Sequence, residues 1–390
     1  MKILVVCQYY YPEPFRITDI CEELVRRGHE VFVVTGLPNY PEGMIYSGYR
    51  GKDKRDENIN GVRVHRCFTI GRRSGVLFRF LNYYSYAFSS VRYTSKLKEK
   101  FDVIFVNQLS PVMMAKAAIS YKKKHNTKIV MYCLDLWPES LTVGGIKKGS
   151  AIYKFFHKVS AKMYSKADKI LVSSKSFSKY FEEEFDIKDT EYLPQYAETL
   201  FDAEKCRKNP NETVDIMFAG NVGAAQSVET IIKAAHKTKD VKNLRWHIVG
   251  DGSELENVKQ LTQSMALDNV IFYGRHPLEE MPDFYAMADA MIVTMKKDDV
   301  ISMTLPGKIQ TYLAAGKPII GAIDGEGAQV INESGCGMCC SAEDAESLAK
   351  IAINFAESIK GCNHSELACD YYKKTFSRES VLKKLIDSLS

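Results

Sequence analysis

Two successive series of short apolar runs, with helically spaced stretches between them, restrict this chain to layered α/β architectures. "KILVVCQ" opens the first series. It is apolar on both faces, as a strand covered by helices on both sides must be. "ITDICEELVRRGH" follows with helical spacing and stops at Gly28, and "EVFVVTG", "FDVIFVN", "KIVMYCLD" and "KADKILVSS" continue the series. The second series reads "VDIMFAG", "LRWHIVG", "NVIFYG", "AMIVTM" and "KPIIGAI", with helical stretches such as "SVETIIKAAHK" and "KIQTYLAA" among them. Strands separated by helices pair in parallel through right-handed crossovers. The connecting stretch "EYLPQYAETLFDAEKCRKNPNETVD" is polar, carries two prolines and has no period, which places a hinge between Pro194 and Asn211. The expected organisation is two doubly wound, Rossmann-like domains facing across a cleft, residues 1–195 and 196–364. A terminal helical stretch, residues 365–390, is expected to cross back to the first domain.

Several function classes are disfavoured at once. No run of eighteen or more apolar residues is present, so a spanning helix is not expected. The opening "MKILVVCQYYYPEP" lacks the long apolar core of a signal peptide and reads as a buried first strand. The ten cysteines are scattered, as reduced thiols in a cytoplasm would be. Cys336 and Cys339 form a Cys-x-x-Cys with no second pair, so they read as small strand residues, and no metal site is expected. "GNVG" is G-x-x-G, and "GEGAQV" has Val330 where a third glycine is needed. Neither completes the dinucleotide fingerprint, which argues against a nicotinamide-dependent oxidoreductase.

Ligands of doubly wound sheets sit beyond the carboxyl ends of the strands. In the second domain those ends carry Gly220, Asn221, Gly223 and Gln226, a loop that reads equally as a tight turn or a phosphate cradle. Gly250 and Asp251 follow the next strand, with Ser253 as an expected helix cap. Arg275 and His276 follow the third, and Arg275 suits either a diphosphate or a surface ion pair. "KKDDVISMTLPGKIQTYLAAGKPII" then leads into a helix at a Pro-Gly-Lys corner. Free amides around Thr304, Leu305 and Gly307, beside the Pro306 corner, the helix dipole and the charge of Lys308 together make an anion site. Gln310 and Thr311 are expected on the exposed polar face of that helix.

In the first domain, Glu13 and Arg16 lie in the loop after the first strand, and "NYPEG" and "NQLSP" follow others. "CLDLWPES" puts Asp135, Trp137 and Glu139 at one strand end. Acids there suit hydroxyl recognition or proton transfer. Trp137 can stack on a sugar or plug the core, and both readings stay open.

Charge is uneven. Residues 1–200 hold 32 Lys+Arg against 21 Asp+Glu, and residues 201–390 hold 21 against 27. From Asn58 to Lys98 there is no acid but eight cations, among them Arg72, Arg73, Arg79 and Arg92. Leu77, Phe80 or Leu81, Tyr84, Phe88 and Val91 recur there at helical spacing, with Phe78 adjoining. A basic amphipathic stretch fits an anionic membrane surface, or else a core-facing helix with a solvated basic side. No nucleic-acid recognition motif accompanies the charge.

In combination, "YYYPEPFR", "RGHEVFVVTGLPNYPEG", "DLWPES", "FAGNVGAAQ", "IVGDG", "GRHPLEEMPDFYAMADAMIV" and "LPGKIQTYLAAGKPII" resemble the family-four glycosyltransferases of GT-B fold over nearly the whole chain. The branch resembled most makes bacterial O-antigen or capsule and includes N-acetyl-fucosamine transferases. The resemblance implies a UDP-sugar donor on the second domain and a polyprenyl-diphosphate-linked acceptor on the first. It implies retention at the anomeric carbon and no metal or other cofactor; the chain has no Asp-x-Asp. Lys308 and Arg275 would meet the diphosphate, the base would lie beside Gly274, Arg275 and His276, and Asp135 would line the reacting carbon, with Glu13 a second catalytic candidate. Acceptor and membrane contacts would fall to Arg16, Arg72, Arg73, Phe78, Arg79, Trp137 and Glu139, at the inner face of the cytoplasmic membrane. The chain departs from the family where Asn221 and Gln226 replace an arginine and a lysine. It departs again where Met303 and Thr311 replace two glutamates, the second a ribose ligand. A neutral contact from Thr311 or Gln310, and sugar contacts from Asp298 or Asp299, are expected instead. A sugar-nucleotide epimerase shares this two-domain plan and is the second reading; a non-catalytic binding module is disfavoured by the many polar strand ends.

Overall fold

The computed structural model describes residues 1–51, 53–73, 75–143, 145–209, 211–358 and 363–390. The chain forms two compact units, Met1–Leu193 with Leu382–Ser390, and Pro194–Val381. Of the stretch read as a hinge, Pro210 lies outside the described residues.

The first unit is built on an eight-stranded sheet of β1 (Lys2–Val6), β2 (Glu30–Thr35), β3 (Asp56–Ile59), β4 (Val62–Arg66), β5 (Val103–Gln108), β6 (Lys128–Cys133), β7 (Lys169–Val172) and β8 (Thr190–Tyr192). Its order is β3-β4-β2-β1-β5-β6-β7-β8, and every pairing is parallel except β3 with β4. The helices are α1 (Ile17–Arg26), α2 (Val76–Thr94), α3 (Lys116–His125), α4 (Ser140–Val143), α5 (Ala151–Tyr164) and α6 (Lys175–Phe185). Central strands β1 and β5 are buried along almost their whole length, which is why they read as continuous apolar runs.

The second unit carries β9 (Val214–Ala219), β10 (Leu244–Val249), β11 (Val270–Gly274), β12 (Ala290–Thr294), β13 (Ile319–Ala322) and β14 (Met338–Cys340). Its sheet order is β11-β10-β9-β12-β13-β14, all parallel. Around it lie α7 (Glu229–Lys237), α8 (Leu255–Ser264), α9 (Met281–Met287), α10 (Asp299–Ser302), α11 (Gly307–Ala314), α12 (Gly325–Ser334), α13 (Ala345–Ser358) and α14 (His364–Phe376). Two apolar layers flank the sheet, one around Trp246 and Phe355, the other around Tyr312 and Tyr285. The strand order reverses between β9 and β12, and the crevice beyond their carboxyl ends is where such sheets bind ligands.

The terminal stretch is two helices, not one. α14 stays with the second unit, and in α15 (Arg378–Leu389) only the residues from Leu382 join the first. There the Lys384 ammonium donates to the Tyr192 carbonyl at 2.7 Å, and Lys128 donates to the Ser388 carbonyl at 3.2 Å.

Candidate active site

In the second unit, three glycines let the backbones of neighbouring strand ends converge. Gly220 N–H donates to the Val249 carbonyl at 2.9 Å, and Gly250 N–H to the Gly274 carbonyl at 2.7 Å. Gly220 and Gly250 both have φ 139°, and a Cβ on Gly250 would stand 1.8 Å from the Gly220 carbonyl oxygen. A side chain at either position would be strained, so these loops are glycine for geometric reasons. Tyr312 of α11 ties the helix to the same strand end, donating to the Ala219 carbonyl at 3.1 Å and accepting from the Ala219 amide at 3.3 Å.

Lys308 is the centre of this half-site. Its ammonium is buried without a hydrogen-bond partner among the described residues, 3.9 Å from the centroid of the Phe218 ring. A Cβ on Gly220 would lie 3.2 Å from it, so the amine sits against the glycine loop after β9. Burial pushes its pKa down to about 7. A buried cation with no partner is costly, and an anion arriving beside it would recover that cost. α11 begins at Pro306 with no side-chain cap. In its first turn the Ile309 amide donates to the Pro306 carbonyl at 3.0 Å. Gly307 and Lys308 therefore start the helix with amides available to an anion.

The other expected donor residues divide. The Thr304 amide is not available, because it donates to the Ile301 carbonyl at 3.1 Å. Leu305 is buried and holds an interaction of its own. Asn221 Nδ2 donates to Gln226 Oε1 at 3.2 Å across Gly223, so these two amides latch the loop to itself. Asp251 Oδ1 accepts from the Gly252 amide at 2.7 Å. Ser253 does not cap α8; Glu254 occupies that position and makes no side-chain cap. His276 lies between Glu280 Oε2, 2.8 Å from Nδ1, and the Tyr273 carbonyl, 3.2 Å from Nε2, with its ring against Phe284. Arg275 extends exposed from edge strand β11, two strands and so roughly 10 Å from β9. It makes no ion pair or hydrogen bond among the described residues.

Three expectations need correction. Asp298 caps α10, with Oδ1 accepting from the Val300 and Ile301 amides at 2.9 and 3.0 Å, so that oxygen is engaged in helix geometry. Asp299 follows it in the first turn. Gln310 and Thr311 are buried, not on an exposed face. Thr311 Oγ1 donates to the Gly307 carbonyl at 3.2 Å, and the Gln310 amide, oriented for best hydrogen bonding, donates to the Pro306 and Gly307 carbonyls at 3.0 Å each. Both side chains brace the first turn of α11 from within.

In the first unit, Asp135 follows β6 and accepts a short hydrogen bond from Ser110, which follows β5; Ser110 Oγ also lies 2.7 Å from Ser140 Oγ. Burial lifts the Asp135 carboxyl above the ordinary range, against the pull of the Ser110 hydroxyl and of the Arg72 charge. Arg72 is half-buried beside Tyr9, Tyr40 and Tyr83, its guanidinium 5.7 Å from the Tyr83 ring centroid. Ser110 and Ser140 were visible only as parts of "NQLSP" and "DLWPES"; their convergence needs the β5–β6 pairing.

Glu13 is a loop clamp instead of an open carboxylate. Oε1 accepts from the Asn39 and Tyr40 amides at 2.8 Å each, and Oε2 from the Tyr10 amide at 3.4 Å. Burial pushes its pKa up to about 7 in spite of those donors. Asn39 extends the clamp: its Oδ1 accepts from the Arg72 amide at 3.1 Å and from Asn82 Nδ2 at 3.2 Å. Trp137 plugs the core at 3% exposure, edge-on to Phe156 and Tyr83, so it offers no sugar-stacking face. Glu139, 1% exposed, accepts from the Tyr153 hydroxyl at 2.6 Å and pairs with Lys148 at 3.4 Å, which removes it from an acceptor role. Arg16 stands half-buried at the N-cap position of α1. Arg73 and Arg79 are exposed, and Arg73 lies 5.7 Å from the Phe78 ring centroid.

Comparison with known proteins places this geometry in context. The profile of the family described as glycosyl transferases group 1 matches residues 202–367, and that of the glycosyl transferase 4-like domain matches residues 15–194. A chain of Escherichia coli K12 named as the colanic acid biosynthesis glycosyl transferase WcaI is 24% identical, covering 100% of both chains. One of Pseudomonas aeruginosa named as the glycosyltransferase WbjE is 26% identical, covering 72% of this chain and 74% of its own. Among solved structures, Anabaena HepE in complex with UDP and glucose superposes with a TM-score of 0.71 at 14% identity, covering 100% of this chain and 99% of that one. The fold is the two-domain GT-B architecture.

Proposed function

This chain belongs to the group 1 glycosyltransferases, and on that premise we propose that it transfers a sugar from a UDP-sugar to a lipid-linked acceptor during assembly of a bacterial surface polysaccharide. The observation that carries the reading is the buried, unpartnered ammonium of Lys308 against Gly220 at the uncapped start of α11. A nucleoside diphosphate supplies the missing anion. Its negative charge would be met by Lys308, by the first amides of α11 and by the helix dipole, with Arg275 reaching in from the sheet edge. These groups bind the developing charge on the leaving diphosphate, so the proposal assigns that task to the chain's own cations and needs no metal.

The relatives named for colanic acid biosynthesis and for glycosyl transfer support the polysaccharide setting, and UDP in the HepE complex supports the donor class. The epimerase reading has no support among the comparisons. On the first unit we assign Asp135 to the acceptor hydroxyl, with Arg72 beside it for an acceptor phosphate. Transfer would proceed with retention, and the sugar would be an N-acetylated amino or deoxyamino sugar, the class of the N-acetyl-fucosamine branch. An acceptor on a polyprenyl diphosphate would hold the enzyme at the inner face of the cytoplasmic membrane; no helix among the described residues is long and apolar enough to cross it.

The test is a panel of UDP-sugars incubated with the enzyme and a polyprenyl-diphosphate-linked acceptor, followed by mass spectrometry of the lipid. One donor is expected to extend the lipid by one sugar with release of UDP. No extension and no UDP release from any donor would refute the reading.

A further inference from the structure

The second unit holds a cavity of about 250 Å³ at the end of its sheet opposite the glycine loops. Arg207 and Lys208 in its wall precede β9, Asp289 precedes β12, Lys317 precedes β13, and His364 and Ser365 open α14. These are the amino ends of the strands. The Lys308 half-site lies past their carboxyl ends, the length of a five-residue strand such as β12 away, roughly 17 Å. Gly316 shapes the wall. It follows α11 at φ 64°, and a Cβ there would stand 2.7 Å from Ser365 Oγ and 3.1 Å from Cys369 Sγ, so α14 closes on this corner because the residue is glycine.

The lining carries the cations Arg207, Lys208 and Lys317 against one acid, Asp289. That acid is already matched. Asp289 Oδ2 accepts from the Asp215 amide at 2.7 Å and from the Lys208 ammonium, which also donates to Asp215 Oδ2 at 2.6 Å and to the Thr213 carbonyl at 3.0 Å. Lys208 has therefore used its three protons within the wall. Lys317 has not. It is 5% exposed, and among the described residues its ammonium makes one hydrogen bond, to the Ala288 carbonyl at 2.7 Å, which leaves two protons to give. Burial pushes its pKa down to about 8, so a counter-ion here would relieve a desolvated charge. Arg207 is exposed and makes no ion pair or side-chain hydrogen bond among the described residues. His364 Nδ1 is buried, again with no partner among them. α14 starts beside it at Asn363 with no side-chain cap, so the positive end of a 13-residue helix opens on the same space.

From this juxtaposition we propose that the cavity is a further anion site, taking a phosphoryl group either as the free ion or at the tip of a small phosphate ester. Lys317 supplies the buried charge, Arg207 closes over the anion from the solvent side, and His364 with the first amides of α14 meets the remaining oxygens. The volume lies below the roughly 300 Å³ at which pockets for drug-sized ligands begin, so a nucleotide sugar is too large for it. A bound anion bridges the segment before β9, the corner between α11 and β13, and α14, so its occupancy stabilises the second unit. The site shares no residue with the Lys308 half-site and does not depend on the glycosyl-transfer reading.

The experiment is equilibrium dialysis of radiolabelled inorganic phosphate against the full chain saturated with UDP, which keeps the label out of the Lys308 half-site. One phosphate per chain is expected. Lys308→Met dialysed without UDP should retain the same single phosphate, which makes the result independent of donor binding. Lys317→Met should weaken phosphate binding at least about tenfold, the loss of a charge-assisted contact, while UDP affinity by calorimetry stays at the wild-type value. Should Lys317→Met fail to fold, Arg207→Glu on the surface reads the same cavity and should show the same loss. Unlabelled glycerol 3-phosphate separates the two sources. Displacement of the label identifies an ester site, retention identifies a site for the free ion, and both uphold the proposal. A wild type that retains no phosphate at millimolar concentration overturns it, and so does a folded Lys317→Met or Arg207→Glu chain that retains as much as the wild type.

Discussion

The Lys308 ammonium lies 3.9 Å from the centroid of the Phe218 ring and makes no hydrogen bond among the described residues. Phe218 belongs to β9 and Lys308 to the first turn of α11, so the contact joins the strand before the glycine loop to the helix whose start is uncapped. An aromatic face partly offsets the desolvation of a cation but replaces neither water nor a counter-ion. The arrangement holds a charge ready at the cost of stability, as preorganised electrostatic sites do.

That cost is measurable by pH. The native pKa of Lys308 is pushed down to about 7, and an unfolded lysine titrates near about 10.4. Between those values the unfolded chain holds a proton that the native chain lacks, so this residue makes stability rise with pH across the window. The penalty is fully present below about pH 7 and gone above about 10.4. Lys308→Met should therefore be more stable than the wild type in urea unfolding at pH 6, and the gain should shrink steadily towards pH 10. A difference that does not vary with pH would mean that the amine is not desolvated in the free enzyme.

Gly250→Ala should be among the most destabilising single substitutions in the second unit. The added Cβ meets the Gly220 carbonyl oxygen at 1.8 Å in a backbone of φ 139°. A loss of about 3 kcal/mol or more is expected, together with weakened UDP binding, because Gly220 is the residue displaced. Chemical denaturation and calorimetry on the same preparation check both.

Glu13→Ala should leave the buried Asn39 amide and the partly buried Tyr40 amide without an acceptor, costing about 2–4 kcal/mol. Glu13→Gln keeps one carbonyl oxygen and should recover most of that loss. If Glu13→Gln has wild-type stability but no activity, the clamp assignment is wrong and the carboxyl takes part in the reaction.

Asp135→Asn should lower turnover by about 10²-fold or more while leaving UDP affinity unchanged, since the residue belongs to the first unit and to the proposed acceptor side. Initial rates at saturating donor, with UDP titrations alongside, separate the two effects. Full-rate Asp135→Asn enzyme would remove the residue from the chemistry.

The parallel sheets were legible because strands buried on both faces have to be continuous apolar runs, as "KILVVCQ" and "VDIMFAG" are. The β3–β4 pair carries a turn signal, Asn60-Gly61, both at positive φ, but only β4 alternates and β3 is almost wholly polar. β8 is a polar edge strand of three residues with no period to detect. Lys308 was readable from the Pro-Gly-Lys corner, since helix starts and cations attract anions whatever the tertiary context. The places of Glu139, Gln310 and Thr311, and the choice between the two readings of Trp137, depend on which way a loop or helix turns, and a residue type at a strand end does not encode that. The α2 stripe shows the same limit: its spacing was plain in the sequence, but whether it faced the core or the solvent was decided by Tyr86 and Thr94 on the opposite side.

The most direct test of the account is calorimetric titration of UDP into the wild type and Lys308→Met at pH 7. The wild type is expected to bind UDP, and Lys308→Met to bind it roughly 10- to 100-fold more weakly, the worth of a charge-assisted contact to phosphate, with Arg275→Ala showing a smaller loss. Equal affinity of Lys308→Met and wild type would contradict this, because the buried cation facing the glycine loop would then have no part in holding the diphosphate.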